Sequence, residues 1–86
     1  MNSVYLDGEY ILSNELVFGA DLFSLNYAVC AFEGIRSYGT GKGAAIYRLK
    51  EHITRYIDTC HFLKFESEFL STSCIIDAVA ELVRRN

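Results

Sequence analysis

The chain has 86 residues, 51% of them hydrophobic and 14% aromatic, with 8 Lys+Arg against 11 Asp+Glu for a formal net charge of -3. A chain this short hides only about 60 to 65% of the surface its unfolded form exposes, so one small domain with a thin core is expected. The charge balance excludes a basic field for nucleic acid or anionic lipid, no run of 18 apolar residues can span a membrane, and the N-terminus lacks a secretion-signal pattern.

In chain order, Val4 to Leu6 and Glu9 to Leu12 flank Asp7-Gly8, a strong two-residue hairpin signal. Ser13 to Asn26 has no clear period and is expected to be irregular, with one helical turn near Leu22 to Tyr27. Val29 to Tyr38 reads as a strand, Gly39-Thr40-Gly41-Lys42-Gly43 as a glycine-rich loop, and Ala44 to Arg48 as the returning strand. Leu49, Ile53, Tyr56, Cys60 and Leu63 then recur at helical spacing, which predicts a helix to about Phe62. After a stretch read as polar, Lys64 to Ser73, a second stripe of Ile75, Ile76, Val79, Ala80, Leu82 and Val83 predicts another helix. Ser71, Thr72 or Ser73 is available to cap its start, and Arg84 and Arg85 suit its end.

The expected fold is therefore α/β in the α+β sense: an antiparallel sheet of hairpins with two helices packed on it, residues 1-86 forming one domain. The domain is expected to be incomplete, because the chain stops at Asn86 without a capping Gly or polar tail. The apolar surplus points to surface covered by a partner chain or by further sequence; a plainly apolar monomer is the alternative.

Most residues able to carry chemistry have a plainer structural role. The 39-43 loop lacks the spacing of a phosphate-binding P-loop and precedes a strand, so it reads as a hairpin loop. His52 and His61 are nine residues apart rather than four, which leaves no helical metal pair and no metal site is expected. Cys30, Cys60 and Cys74 are odd in number and lack a Cys-x-x-Cys spacing, so they read as small core fillers in a reducing cytoplasm.

Phe32-Glu33-Gly34-Ile35-Arg36 is more unusual. On an extended chain, Phe32, Gly34 and Arg36 share one face, and Glu33 and Ile35 the other. An aromatic wall, an empty floor and a cation then stand side by side, with Tyr27 just ahead of them; an edge strand with a surface Arg is the alternative. Arg55 lies on the Leu49 helix in line with Glu51 and Thr59, either in a solvated Glu51-Arg55 pair or free to grip a phosphate.

Taken together, Tyr27, Phe32-Glu33-Gly34-Ile35-Arg36-Ser37-Tyr38, Ala45-Ile46-Tyr47-Arg48-Leu49 and Glu51-His52-Ile53-Thr54-Arg55 resemble the N-terminal region of class IV aminotransferases. The branched-chain amino acid aminotransferases are the nearest match, and the resemblance runs from about Val4 to Asn86. It implies the fold type IV architecture and a cytoplasmic homodimer, or a higher homo-oligomer, holding pyridoxal 5'-phosphate. The implied reaction exchanges the amino group of leucine, isoleucine or valine with 2-oxoglutarate.

By the same resemblance, Arg55 binds the cofactor phosphate, Phe32 and Gly34 line the pocket for the branched side chain, Arg36 organises its polar edge, and Tyr27 reaches the pocket across the dimer interface. Three positions depart from the family's usual pattern: Ala28 stands where Gly is usual, Gly43-Ala44-Ala45 where Pro is frequent, and Tyr56 where Leu is usual. The lysine that forms the Schiff base and the acid facing the pyridine nitrogen lie downstream in the family, and none of Lys42, Lys50 or Lys64 matches that lysine. The expectation is an N-terminal portion of such an enzyme, inactive alone, whether an expressed piece, a proteolytic remnant or a truncated gene product. A non-catalytic interaction or dimerisation module is the alternative.

Overall fold

Two left-handed residues in a row close the first hairpin. In the computed structural model, which describes residues 2-86, strands β1 (Ser3–Leu6) and β2 (Glu9–Leu12) pair antiparallel with Val4 opposite Ile11 and Tyr5 opposite Tyr10. The connecting Asp7 and Gly8 have φ of 47° and 90°, the conformation that matches a two-residue turn to strand twist. Gly8 is also fixed by space, since a Cβ there would stand 2.6 Å from the Phe69 ring. Across the strands the Tyr5 and Tyr10 rings lie 5.1 Å apart, an aromatic pair of the kind that stabilises a hairpin face.

A 3-10 turn at Ser13–Glu15 follows, where the Leu12 N–H donates to Glu15 Oε2 at 3.1 Å. The helical turn expected near Leu22 is helix α1 (Phe23–Tyr27). Asn26 Nδ2 donates to the carbonyls of Ala20 and Leu22, both at 2.9 Å, and so secures the approach to it. The helix ends at Ala28, whose φ of 56° is left-handed, at a position where a Cβ costs about 1 to 2 kcal/mol.

The second hairpin is shorter than its sequence suggests. Strands β3 (Ser37–Thr40) and β4 (Gly43–Ile46) pair antiparallel, Ser37 opposite Ile46 and Thr40 opposite Gly43. Gly39, Thr40 and Gly43 thus belong to the ladder, and the loop is only Gly41-Lys42. Thr40 Oγ1 donates to the Gly43 carbonyl at 2.6 Å and accepts from the Lys42 N–H at 3.1 Å. The strand expected to begin at Val29 begins at Ser37. The last rung before it runs from the Tyr47 N–H to the Arg36 carbonyl at 3.0 Å; Arg48 then turns left-handed, φ 50°, into a helix. The returning strand leaves before residues 29-35 can pair with it.

Helix α2 (Leu49–Phe62) buries Ile53, Ile57 and Cys60 along one stripe. It ends in a Schellman motif: the Phe65 N–H donates to the Cys60 carbonyl at 2.9 Å and the Lys64 N–H to the His61 carbonyl at 3.0 Å. Lys64 occupies the left-handed position, φ 60°, that glycine usually fills. Helix α3 (Thr72–Arg85) is capped by Ser71, whose Oγ accepts from the Cys74 N–H at 3.3 Å.

The hairpins form two separate two-stranded sheets, and α3 joins them by resting on β1, β4 and α2. Asn86 extends that contact: its Oδ1 accepts from the Ser3 N–H at 2.8 Å and its Nδ2 donates to the Ser3 carbonyl at 3.0 Å. The buried hydrophobic residues among those described are Ile53, Ile57, Cys60 and Ala78, the thin core expected of this length.

Phe65, Phe69 and Leu70, inside the stretch read as polar, line a cavity of about 440 Å³ with residues of β1, α2 and α3. The reading failed because three apolar residues scattered among Ser and Glu show no period. Of the cysteines, Cys60 is buried and Cys74 half-buried, but Cys30 is exposed and is no core filler, since the unpaired segment turns it outward. No helix among the described residues is long and apolar enough to cross a membrane.

Two substitutions test the left-handed positions. Ala28→Gly and Lys64→Gly are each expected to stabilise the chain by about 0.5 to 1 kcal/mol, read as a higher urea midpoint. Gly8→Ala should lose about 1 to 3 kcal/mol in the same assay, through the strained φ and the Phe69 contact.

Candidate functional site

Residues 29-36 carry no ladder, yet their side chains keep the two-residue period of an extended chain. Val29, Ala31, Glu33 and Ile35 are half-buried, while Cys30, Phe32, Gly34 and Arg36 are exposed. The two faces expected of a strand therefore exist without a strand. Phe32 is 86% exposed, a Cβ at Gly34 would meet nothing within 4 Å, and the Arg36 side chain makes no ion pair with a described residue. Wall, floor and cation stand on one open face. Tyr27, also exposed, takes Phe23 as its ring partner, 4.9 Å between centroids, rather than Phe32.

The inner face carries a carboxylate that must be compensated, since a buried charge without a partner is costly. The Glu33 side chain is only 9% exposed. His52 Nδ1 lies 2.6 Å from Glu33 Oε1, Arg55 Nε donates to Oε2 at 3.1 Å, and Arg55 Nη2 donates to Oε1. His52 and Arg55 are three residues apart, on one side of α2. The Arg55 hydrogen bond first, and the His52 bond second, hold the Glu33 carboxyl down to about 2 from an ordinary 4.5. In return Glu33 pushes the Arg55 guanidinium up.

Neither sequence reading of Arg55 named this partner. The expected alternative was a pair with Glu51 one turn away, but the guanidinium reaches Glu33, 22 residues earlier, with two donors. The signal was present, since the period-two pattern put Glu33 inward with Ile35 and an inward acid requires a cation.

Arg55 is nevertheless 69% exposed at its side chain. Of its five donors, those on Nε and Nη2 meet Glu33, and Nη1 bonds to no described residue. The guanidinium stands in a shallow depression on α2 with Lys50, Glu51, Thr54 and Asp58. An open guanidinium edge with a lysine beside it suits a phosphate oxygen, and the two carboxylates keep the depression from being a general anion sink. Glu33 thus joins Arg55 to the segment that carries Phe32, Gly34 and Arg36. Tyr27 is not drawn into that group.

No protein-family model matches the chain. Over 83 residues, 96% of its length, it is 31% identical to the branched-chain-amino-acid aminotransferase of Pseudomonas aeruginosa. It is 26% identical over the same length to those of Escherichia coli K12 and Salmonella typhimurium. Its backbone matches the crystal structure of the T.th. branched-chain amino acid aminotransferase complexed with N-(5'-phosphopyridoxyl)-L-glutamate, with a TM-score of 0.92 and 35% identity over 99% of the chain, 28% of that structure. The chain spans about a quarter of the length of the curated relatives it matches, 27% of the first and 26% of the others. It resembles their N-terminal portion in sequence and has the fold of that portion.

The depressed Glu33 carboxyl sets a pH window. Its stabilisation is fully present above its ordinary value of 4.5 and is lost as pH falls toward about 2. The melting-temperature difference between the wild-type chain and Glu33→Gln is expected to be constant above pH 4.5 and to shrink below it; a difference independent of pH would contradict the ion pair.

Proposed function

We propose that the chain is the N-terminal portion of a pyridoxal-phosphate-dependent branched-chain amino acid aminotransferase. The observation that carries this is the match of sequence and backbone along nearly the whole chain to enzymes of that name. The ligand of the structural relative, a phosphopyridoxyl amino acid, supports a cofactor of the same kind.

Bound pyridoxal phosphate supplies the electron sink for amino-group exchange, and the protein's part is to hold and orient it. Arg55 is assigned to the cofactor phosphate, through the guanidinium edge that Glu33 leaves open. Phe32 and Gly34 form wall and floor of the pocket for a leucine, isoleucine or valine side chain, the missing Cβ at Gly34 leaving room for its branch. Arg36 is placed at the polar edge of that pocket, within reach of a carboxylate of the amino acid or of 2-oxoglutarate. Tyr27, whose ring partner in its own chain is Phe23, is assigned to the pocket of a second copy.

We assign catalysis to the parent enzyme rather than to these 86 residues alone. A homodimer or higher homo-oligomer and a cytoplasmic location belong to the same reading; three free cysteines suit a reducing compartment.

One feature favours a second role. Phe62 is 85% exposed and Val17, Phe18, Leu25 and Tyr47 are exposed as well, an amount of apolar surface that suits an interaction module pairing with itself or with an intact homologue.

In the full-length parent, Arg55→Ala is expected to weaken pyridoxal phosphate retention by about 10- to 100-fold, the loss of a charge-assisted contact. The checks are equilibrium dialysis followed by the cofactor's absorbance, and circular dichroism to exclude unfolding from the orphaned Glu33. Unchanged retention in a folded variant would remove Arg55 from the site.

A further inference from the structure

Glu33 has no place in the proposed chemistry, yet it is the most constrained charged side chain of the segment. We propose that Glu33 is a positioning residue: its carboxylate fixes the Arg55 guanidinium so that the Nη1 edge presents its donors to a phosphate group. The inference rests on the reading of Arg55 as the phosphate ligand and adds the residue that makes that ligand effective.

Three observations carry it. Glu33 is nearly buried while Arg55 is mostly exposed, so the carboxylate is the fixed member of the pair and the guanidinium the one that needs fixing. Both donors that meet Glu33, on Nε and Nη2, lie along one side of the planar group, which orients the remaining side outward. His52 Nδ1 meets the same Oε1 at 2.6 Å, so the carboxylate is held from α2 at two points.

An opposing effect must be weighed, because a carboxylate beside the guanidinium also offsets the charge that attracts an anion. That repulsion acts across the width of the guanidinium in an exposed, water-screened depression. Orientation acts at contact, since an unheld arginine must give up its rotamer freedom when it binds. Orientation is therefore expected to dominate. Glu33 also sits between Phe32 and Gly34 in the chain, so the group that fixes the phosphate ligand fixes the pocket wall as well.

The test is a titration of the isotope-labelled 86-residue chain with inorganic phosphate, followed at the Arg55 Nε–Hε signal by nuclear magnetic resonance. Glu33→Gln, Glu33→Asp and Arg55→Ala are compared with the wild-type chain. Glu33→Gln keeps the size and an acceptor but removes the charge. It is expected to raise the dissociation constant by roughly 3- to 10-fold, the weight of one long side chain left unheld, and to speed exchange of the Nε–Hε proton with water. Glu33→Asp should fall between the two, and carries the same test if the Gln variant does not fold. Phosphate affinity equal to or tighter than wild type in a folded Glu33 variant overturns the positioning role while leaving Arg55 as the ligand. Absence of any phosphate-dependent shift in the wild-type chain, or an unchanged one in Arg55→Ala, overturns the assignment of Arg55 and the inference with it.

Discussion

Everything on the site side of the molecule depends on one inward-facing carboxylate. Residues 29-36 have no strand to pair with, because β4 ends at Ile46 and the chain enters α2 through the left-handed Arg48. A segment without a ladder must be held by side chains, and here side-chain hydrogen bonds converge on Glu33 from His52 and Arg55. Such a pair earns little as a surface ion pair. Its value is geometric, since it sets the distance between the segment and α2 and thereby decides which side chains of the segment are left to face outward.

Much of this was legible in the sequence. Asp7-Gly8 announced its hairpin because Asp and Gly tolerate the two positive φ values of a turn that matches the twist of the flanking strands. The stripes of α2 and α3 announced their helices because apolar residues recurring at three- and four-residue steps fall on one face of a helix. The two-faced character of Phe32 to Arg36 also followed from spacing alone. Its status as a strand did not, since pairing depends on where the partner strand stops, and that is set at Arg48, an ordinary residue in an unusual conformation. The surroundings of Arg55 were not legible: its donors follow from its type, but the partner they meet lies 22 residues away and only tertiary contact reveals it.

The left-handed residues show where the fold outweighs local preference. Ala28 and Lys64 both take a conformation suited to glycine, and each does so at the end of a helix whose next segment is fixed elsewhere. After Lys64 the chain must bring Phe65 and Phe69 back over the cavity beside β1; after Ala28 it must set Val29 and Ala31 on the half-buried face of the 29-36 segment. The backbone bears that strain because the destinations are set by apolar contact. The exposed Phe32 and Phe62 are the converse, apolar groups for which this chain alone offers no destination.

The amide of Asn86 occupies the place of a neighbouring strand against Ser3, donating and accepting as a backbone would. These two hydrogen bonds span 83 positions, so the last turn of α3 and the first strand are closed into one ring of chain. Because the entropy of closing a loop rises only slowly with its length, two bonds at the far ends cost little more than two in the middle. The first strand therefore cannot peel away without freeing that turn of α3, and that turn cannot unwind without exposing the edge of the first strand.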